Sequence, residues 1–131
     1  MPRGDNHISG GKTAAQELIQ SGIPFSAIFS SNDAMAIGAM RALLDSGYRI
    51  PNNVSIVGVD DIILASYCEP PLTTVTQPKY DAGCQAMSFL IERIGSGYNQ
   101  GPRNVLLNTE LVQRNSCIPF SETTKMDRTT L

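Results

Sequence analysis

Residues 27–61 read AIFSSNDAMAIGAMRALLDSGYRIPNNVSIVGVDD. At the left end, Phe25–Ser30 (FSAIFS) is short, mostly apolar and preceded by Pro24, the pattern of a buried strand. Ala36, Ile37, Met40, Leu43 and Leu44 then recur at the spacing of one helix face, and Gly47 ends that stripe. Ile50-Pro51-Asn52-Asn53 makes a turn. Val54–Val59 (VSIVGV) is nearly all apolar and β-branched, which suits a strand covered on both faces. Strand, helix and strand in that order make a crossover unit, so the two strands run parallel.

The alternation continues on both sides. Upstream, Ala14, Ala15, Leu18 and Ile19 fall at helical spacing until Ser21-Gly22-Ile23-Pro24. Downstream, Ile62–Tyr67 reads as a short helix broken by Pro70 and Pro71, and Leu72–Thr76 (LTTVT) as a third strand. The longest predicted helix runs from about Asp81 to Ile94, with Cys84, Met87, Leu90, Ile91 and Ile94 on its apolar face. Gly95-Ser96-Gly97 stops it, Val105–Val112 (VLLNTELV) reads as a final strand, and the tail after Pro119 is polar. The fold class is α/β, a partial doubly wound parallel sheet. It is partial because such a domain normally opens with a strand, whereas this chain opens into a helix; a piece upstream is expected to be missing.

Bulk properties narrow the function. The 131 residues, 41% hydrophobic and 17% charged, suit one ordinary globular domain. A net charge of -2, with ten scattered Lys and Arg, gives no basic face for DNA. Three cysteines, an odd number with no CxxC, point to free thiols in a reducing cytosol, not to a disulfide frame or a zinc site. The start, Met1-Pro2-Arg3-Gly4-Asp5-Asn6, has no apolar signal core, and no stretch approaches the roughly 20 apolar residues of a membrane span. A soluble cytoplasmic protein with no membrane association, metal or cofactor is expected.

In a parallel α/β sheet, ligands bind beyond the carboxyl ends of the strands. Asn32 and Asp33 follow the first predicted strand, Asp60 and Asp61 the second, and Gln77 the third. Right-handed crossovers place those ends on one edge of the sheet. Asn32, Asp60 and Gln77 then suit a ligand rich in hydroxyls, because a carboxylate accepts from two neighbouring hydroxyls and an amide both donates and accepts. A hydrogen bond to a charged group contributes about 1.5–3 kcal/mol net, so Asp60 is expected to dominate the polar energy. Asp33 and Asp61 sit where helix N-caps belong, and capping accounts for them. Capping or turn roles compete for Asn32 and Asp60, and an extended linker role for Gln77.

Gly10-Gly11-Lys12-Thr13 imitates the end of a phosphate-binding loop, but that loop needs a glycine where Asn6 stands and a strand in front. A hydrolase is poorly supported: the only histidine, His7, lies near the chain start and no GxSxG elbow occurs. The chain is read as no enzyme.

The quoted segment, together with PPLTTVTQPKYDAG at residues 70–83, resembles the effector domain of the lactose/galactose repressor (LacI/GalR) family. The Asn-Asp-x-Met-Ala-x-Gly-Ala and Pro-Pro-Leu-Thr-Thr runs carry the likeness, which extends from about Gly4 to Ser116. It implies the periplasmic-binding-protein-like fold, in which two α/β subdomains clasp a small effector behind a helix-turn-helix. Residues 1–76 and 111–120 resemble the C-terminal, effector-binding subdomain. Residues 77–110 resemble a piece that completes the N-terminal subdomain, and 121–131 are a polar tail.

By this resemblance the positions of Asn32, Asp60 and Gln77 contact effector hydroxyls. Asn6 is also expected at the effector; a ligand-stacking aromatic is frequent near Asn6 or Ile8, and here neither is aromatic. The resemblance also implies a homodimer, with Ile37, Met40 and Leu44 on an interface helix and Tyr67 and Cys68 in a neighbouring contact loop. Packing of the same helix on the sheet is the competing reading. The expected partners are a sugar-like effector and a second copy, with DNA reached only through a domain outside this chain. A fragment of a sugar transport receptor and a truncated, non-functional reading frame are the alternatives.

Overall fold

The computed structural model describes residues 4–96 and 101–120. In chain order the elements are α1 (Ile8–Gln20), β1 (Ala27–Phe29), α2 (Asp33–Asp45), β2 (Ser55–Val59), α3 (Ile63–Tyr67), β3 (Thr73–Thr76), α4 (Lys79–Gly95) and β4 (Glu110–Val112). They fall into two compact units: residues up to Thr76 together with those from Leu111 onward, and Gln77–Glu110.

The first unit is built on a sheet of order β1-β2-β3-β4. β1 pairs parallel with β2 (Ile28 opposite Ile56), and β2 parallel with β3 (Gly58 opposite Thr74). α2 is the crossover from β1 to β2, and it ends at Gly47, whose φ of +83° is the left-handed conformation that closes a helix without a Cβ penalty. The core forms where α2 lies on β2: Met40, Leu43, Val54, Ile56 and Leu72 are buried, with Phe25, Ile28 and Tyr48 packed around them. Each large aliphatic buried there contributes about 1.5–3 kcal/mol.

α1 packs on α2, and two glycines set how closely. A Cβ on Gly11 would stand 2.1 Å from the Met35 carbonyl oxygen, and one on Gly38 would stand 1.9 Å from the Ile8 carbonyl oxygen. The Gly-Gly-Lys-Thr run that imitates a phosphate loop is therefore helical, and its second glycine is a backbone-to-backbone contact point.

Beyond β4 the chain returns to the sheet through Ser116, which is fully buried. Its hydroxyl donates to the Ile56 carbonyl (2.6 Å) and accepts from the Thr73 amide (2.8 Å), tying β2 to β3.

In the second unit α4 has no buried residue, and Met87, Leu90, Ile91 and Ile94 are all exposed. Arg103 pairs with Glu92 and lies over the Phe89 ring. The final strand is shorter than Val105–Val112: only Glu110–Val112 joins a ladder. Leu106 is 97% exposed, so apolar composition without a covering layer or a neighbouring strand does not make a strand there. The polar tail from residue 121 lies outside the described residues, as does Gly97.

Candidate functional site

Three strands end on one edge, and each is followed by a residue singled out from the sequence. Asn32 follows β1 and is the N-cap of α2, its Oδ1 accepting from the Met35 amide at 2.8 Å. Its Nδ2 donates to the Asn6 carbonyl at 3.2 Å, so Asn6 and Asn32 are brought together. Asn6 itself is exposed, with φ +67°. Asp60 follows β2, half-buried, with its amide donating to the Val75 carbonyl of β3 at 2.9 Å. Gln77 follows β3 in the chain, is exposed, and belongs to the second unit, where its carbonyl accepts from the Lys79 amide.

The neighbouring aspartates do not cap helices. Asp33 is the first residue of α2, behind the Asn32 cap, and is fully buried. Its Oδ1 accepts from the Thr74 hydroxyl at 2.5 Å and its Oδ2 from the Ile62 amide at 2.9 Å. Asp61 lies one residue outside the α3 cap, which is Ile62 and has no side-chain cap bond. Its carboxylate holds Arg114 at 2.6 Å, and Arg114 also donates to the Leu72 carbonyl at 2.8 Å. The capping expectation fails for both because stronger donors are within reach: a hydroxyl and an amide for buried Asp33, and a guanidinium for half-buried Asp61.

The turn itself is unusual. Asp60 has φ 110° and Asp61 φ 49°, two successive non-glycine residues on the left-handed side of backbone space. The amides of residues 60, 61 and 62 go in turn to the Val75 carbonyl, the Thr74 hydroxyl (3.4 Å) and the Asp33 carboxylate. Thr74 and Arg114 were not foreseen from sequence. A signal existed for the first: strands of a parallel sheet are covered on both faces, so two adjacent threonines in one imply that at least one hydroxyl has a buried partner.

The residues matched to a dimer interface divide by exposure. Met40 lies in the core and offers no surface, and Ile37 packs against the same core. Leu44 is exposed, and Tyr67 is exposed beside Ile63 and Leu64. Cys68 is half-buried, its thiol bonded to the Ala65 and Pro70 carbonyls, and burial pushes its pKa up. An apolar groove of about 370 Å³ runs between α1 and the free edge of β1, lined in part by Ala14, Leu18, Ala27 and Phe29; Asn32 and Asp60 do not line it. Among the described residues no group of three His, Cys, Asp or Glu side chains could hold a metal ion, and no helix is long and apolar enough to cross a membrane.

Comparison with known proteins agrees with the fold. The model of the periplasmic binding protein-like domain matches residues 2–117. The HTH-type transcriptional repressor CytR of Escherichia coli K12 is 38% identical over 116 residues, which cover 88% of this chain and 34% of the repressor. A solved LacI-family transcriptional regulator from Enterococcus faecalis V583, with bound ribose, superposes with a TM-score of 0.81 at 31% identity, covering 91% of this chain and 43% of that one. The lac repressor dimer bound to operator and the anti-inducer ONPF gives 0.80 at 34% identity, covering 88% and 40%.

A sheet whose parallel strands lead into polar turns on one edge, with helices as crossovers, defines an α/β domain of the doubly wound class. The chain belongs to the periplasmic binding protein-like domain family, in the form carried by LacI-family transcriptional regulators. It spans about a third of the length of the curated relative quoted, and the relatives are repressors, not enzymes.

Proposed function

We propose that this chain is the effector-binding and dimerisation part of a LacI-type regulator and takes a polyhydroxylated, sugar-like ligand. The observation that carries the reading is the Asp60 turn, a half-buried aspartate at the carboxyl end of β2, the parallel neighbour of the β1 strand that leads into Asn32. Asp60 would accept from neighbouring ligand hydroxyls, and Asn32 and Gln77 would supply mixed donors and acceptors. Asn6 contributes by fixing the Asn32 amide. The sugar class is supported by the ribose bound to the Enterococcus faecalis relative.

On this reading, residues up to Thr76 and from Leu111 form the C-terminal subdomain, and 77–110 the piece that completes the N-terminal one. These residues are one jaw of a clasp, so affinity in isolation is low. Dimerisation would use exposed Leu44 and Tyr67, with Ile63 and Leu64 alongside. The test is an NMR titration of the ¹⁵N-labelled 131-residue chain with D-ribose. Wild type should show saturable shifts at residues 32 and 60, and Asp60→Ala should abolish them while the amides of Ile56 and Leu43 stay in place. Equal ribose binding by both proteins sinks the assignment.

A further inference from the structure

We propose that Asp33 and Thr74 are positioning residues that hold the Asp60 turn in register with Asn32. The inference rests on the sugar-site reading above only for its consequence; its structural content concerns the turn itself.

Two successive left-handed aspartates cost free energy and persist only where the surroundings over-determine them. Here three consecutive amides do so. The first bond, from Asp60 to the Val75 carbonyl, belongs to β3. The second and third belong to side chains: the Asp61 amide donates to the Thr74 hydroxyl, and the Ile62 amide to Asp33 Oδ2. The Thr74 hydroxyl in turn donates a hydrogen bond to Asp33 Oδ1 at 2.5 Å, so the two side chains form one hydrogen-bonded chain. Both are 0% exposed, so water cannot stand in for either.

A second observation is independent of the turn. Gly58 lies in the middle of β2, opposite Thr74, where a β-branched residue is the usual choice. A Cβ there would stand 2.1 Å from Asp33 Oδ1. The missing side chain makes room for the carboxylate inside the sheet layer.

Asp33 follows Asn32 directly. The start of α2 therefore carries the Asn32 cap and a carboxylate that grips the next strand's turn. A shift of α2 would move both together. Asn32 and Asp60, on separate crossovers, thereby keep a fixed separation, which is what selective recognition of two hydroxyls on one rigid ring needs.

The test uses the ¹⁵N-labelled full chain with four proteins: wild type, Asp33→Asn, Thr74→Val and Thr74→Ser. Asn at 33 can still accept from Thr74 but turns an NH₂ toward the Ile62 amide, and Val at 74 removes the hydroxyl at nearly constant shape. Both should speed hydrogen exchange at Asp61 and Ile62 at least tenfold, with core amides of Ile56 and Met40 unchanged. Thr74→Ser should restore wild-type exchange. D-ribose affinity should fall about tenfold in the first two variants and recover in the third.

Unchanged exchange at residues 60–62 overturns the proposal. So does a loosened turn with undiminished ribose affinity. Loss of core protection in Asp33→Asn and Thr74→Val assigns the network to folding and overturns it equally. If wild type itself gives no ribose shifts, the sugar reading falls, while the exchange pattern alone still decides the positioning role.

Discussion

Gly38→Ala tests how the packing of α1 on α2 supports the site. The new methyl carbon would stand 1.9 Å from the Ile8 carbonyl oxygen and 2.8 Å from the Lys12 amide nitrogen. Both are backbone atoms, so no side chain can swing aside. Ordinary contact begins near 3.4 Å, so the helices must part by about 1.5 Å. A gap of even 0.5–1 Å forfeits a quarter to a half of the dispersion attraction at a contact, and overpacking a filled interface costs about 1–3 kcal/mol. Replacing Gly by Ala inside a helix returns about 1 kcal/mol. With the separation this large, the gross cost falls near the top of its range, and the net loss is about 2 kcal/mol.

Urea unfolding followed by far-UV circular dichroism reads this directly, as a lower midpoint at unchanged slope. In thermal unfolding the midpoint should fall by roughly 7 °C. Gly83→Ala is the control of opposite sign: it lies in α4, nothing stands within 4 Å of its Cβ position, and it should stabilise its helix by about 1 kcal/mol or less. The strain also reaches the site, because Ile8 lies two residues beyond Asn6, whose carbonyl holds the Asn32 amide. The Asn32 side-chain NH₂ resonances should therefore shift in Gly38→Ala and not in Gly83→Ala. A Gly38→Ala chain as stable as the parent refutes the close-approach reasoning.

Two further outcomes follow from single side chains. Ser116→Ala should cost about 1–3 kcal/mol by urea unfolding, because the buried Thr73 amide and Ile56 carbonyl both lose the hydroxyl; a loss under about 0.5 kcal/mol would mean the tie is not needed. Asp45 is held below the ordinary aspartate pKa, chiefly by its hydrogen bond from Lys12, with Arg41 adding to it. Its folded pKa is depressed, so its contribution is complete above the unfolded aspartate value and fades as pH falls through the folded value. A ¹³C titration of the Asp45 carboxyl should move up in Lys12→Met; an unmoved midpoint would remove Lys12 from the account.

The crossover pattern was legible because period and punctuation agree: the stripe Ala36, Met40, Leu43 is buried in the core, and Gly47 closes α2. The edge of the sheet was legible too, since strand ends follow from strand order, and Asn32 and Asp60 stand at two of them. Composition was a poorer guide where no second layer exists. Val105 and Leu106 read as strand but lie exposed, and Met40, matched to an interface, is core. A helix stripe says which residues are apolar and not which neighbour they meet, because one face can serve a sheet, a partner or both.

The two Asp pairings show why the site's support could not be read locally. Asn32-Asp33 and Asp60-Asp61 look like two copies of one helix-start signal, and capping is the local explanation for both. In the folded chain the members of each pair differ in the reach of their partners: Asn32 caps its own helix, whereas Asp33 is bonded to Thr74 and Asp61 to Arg114. Those partners lie 41 and 53 positions away along the chain, so no window of sequence contains the relation. For Asp33 what fixes the assignment is desolvation. A carboxylate at 0% exposure must take donors wherever the fold brings them, whereas a cap at the surface can exchange its bond with water. Asp33 is thus more constrained than Asn32 beside it, and substitution there should alter the turn at residues 60–62 without touching the sheet edge.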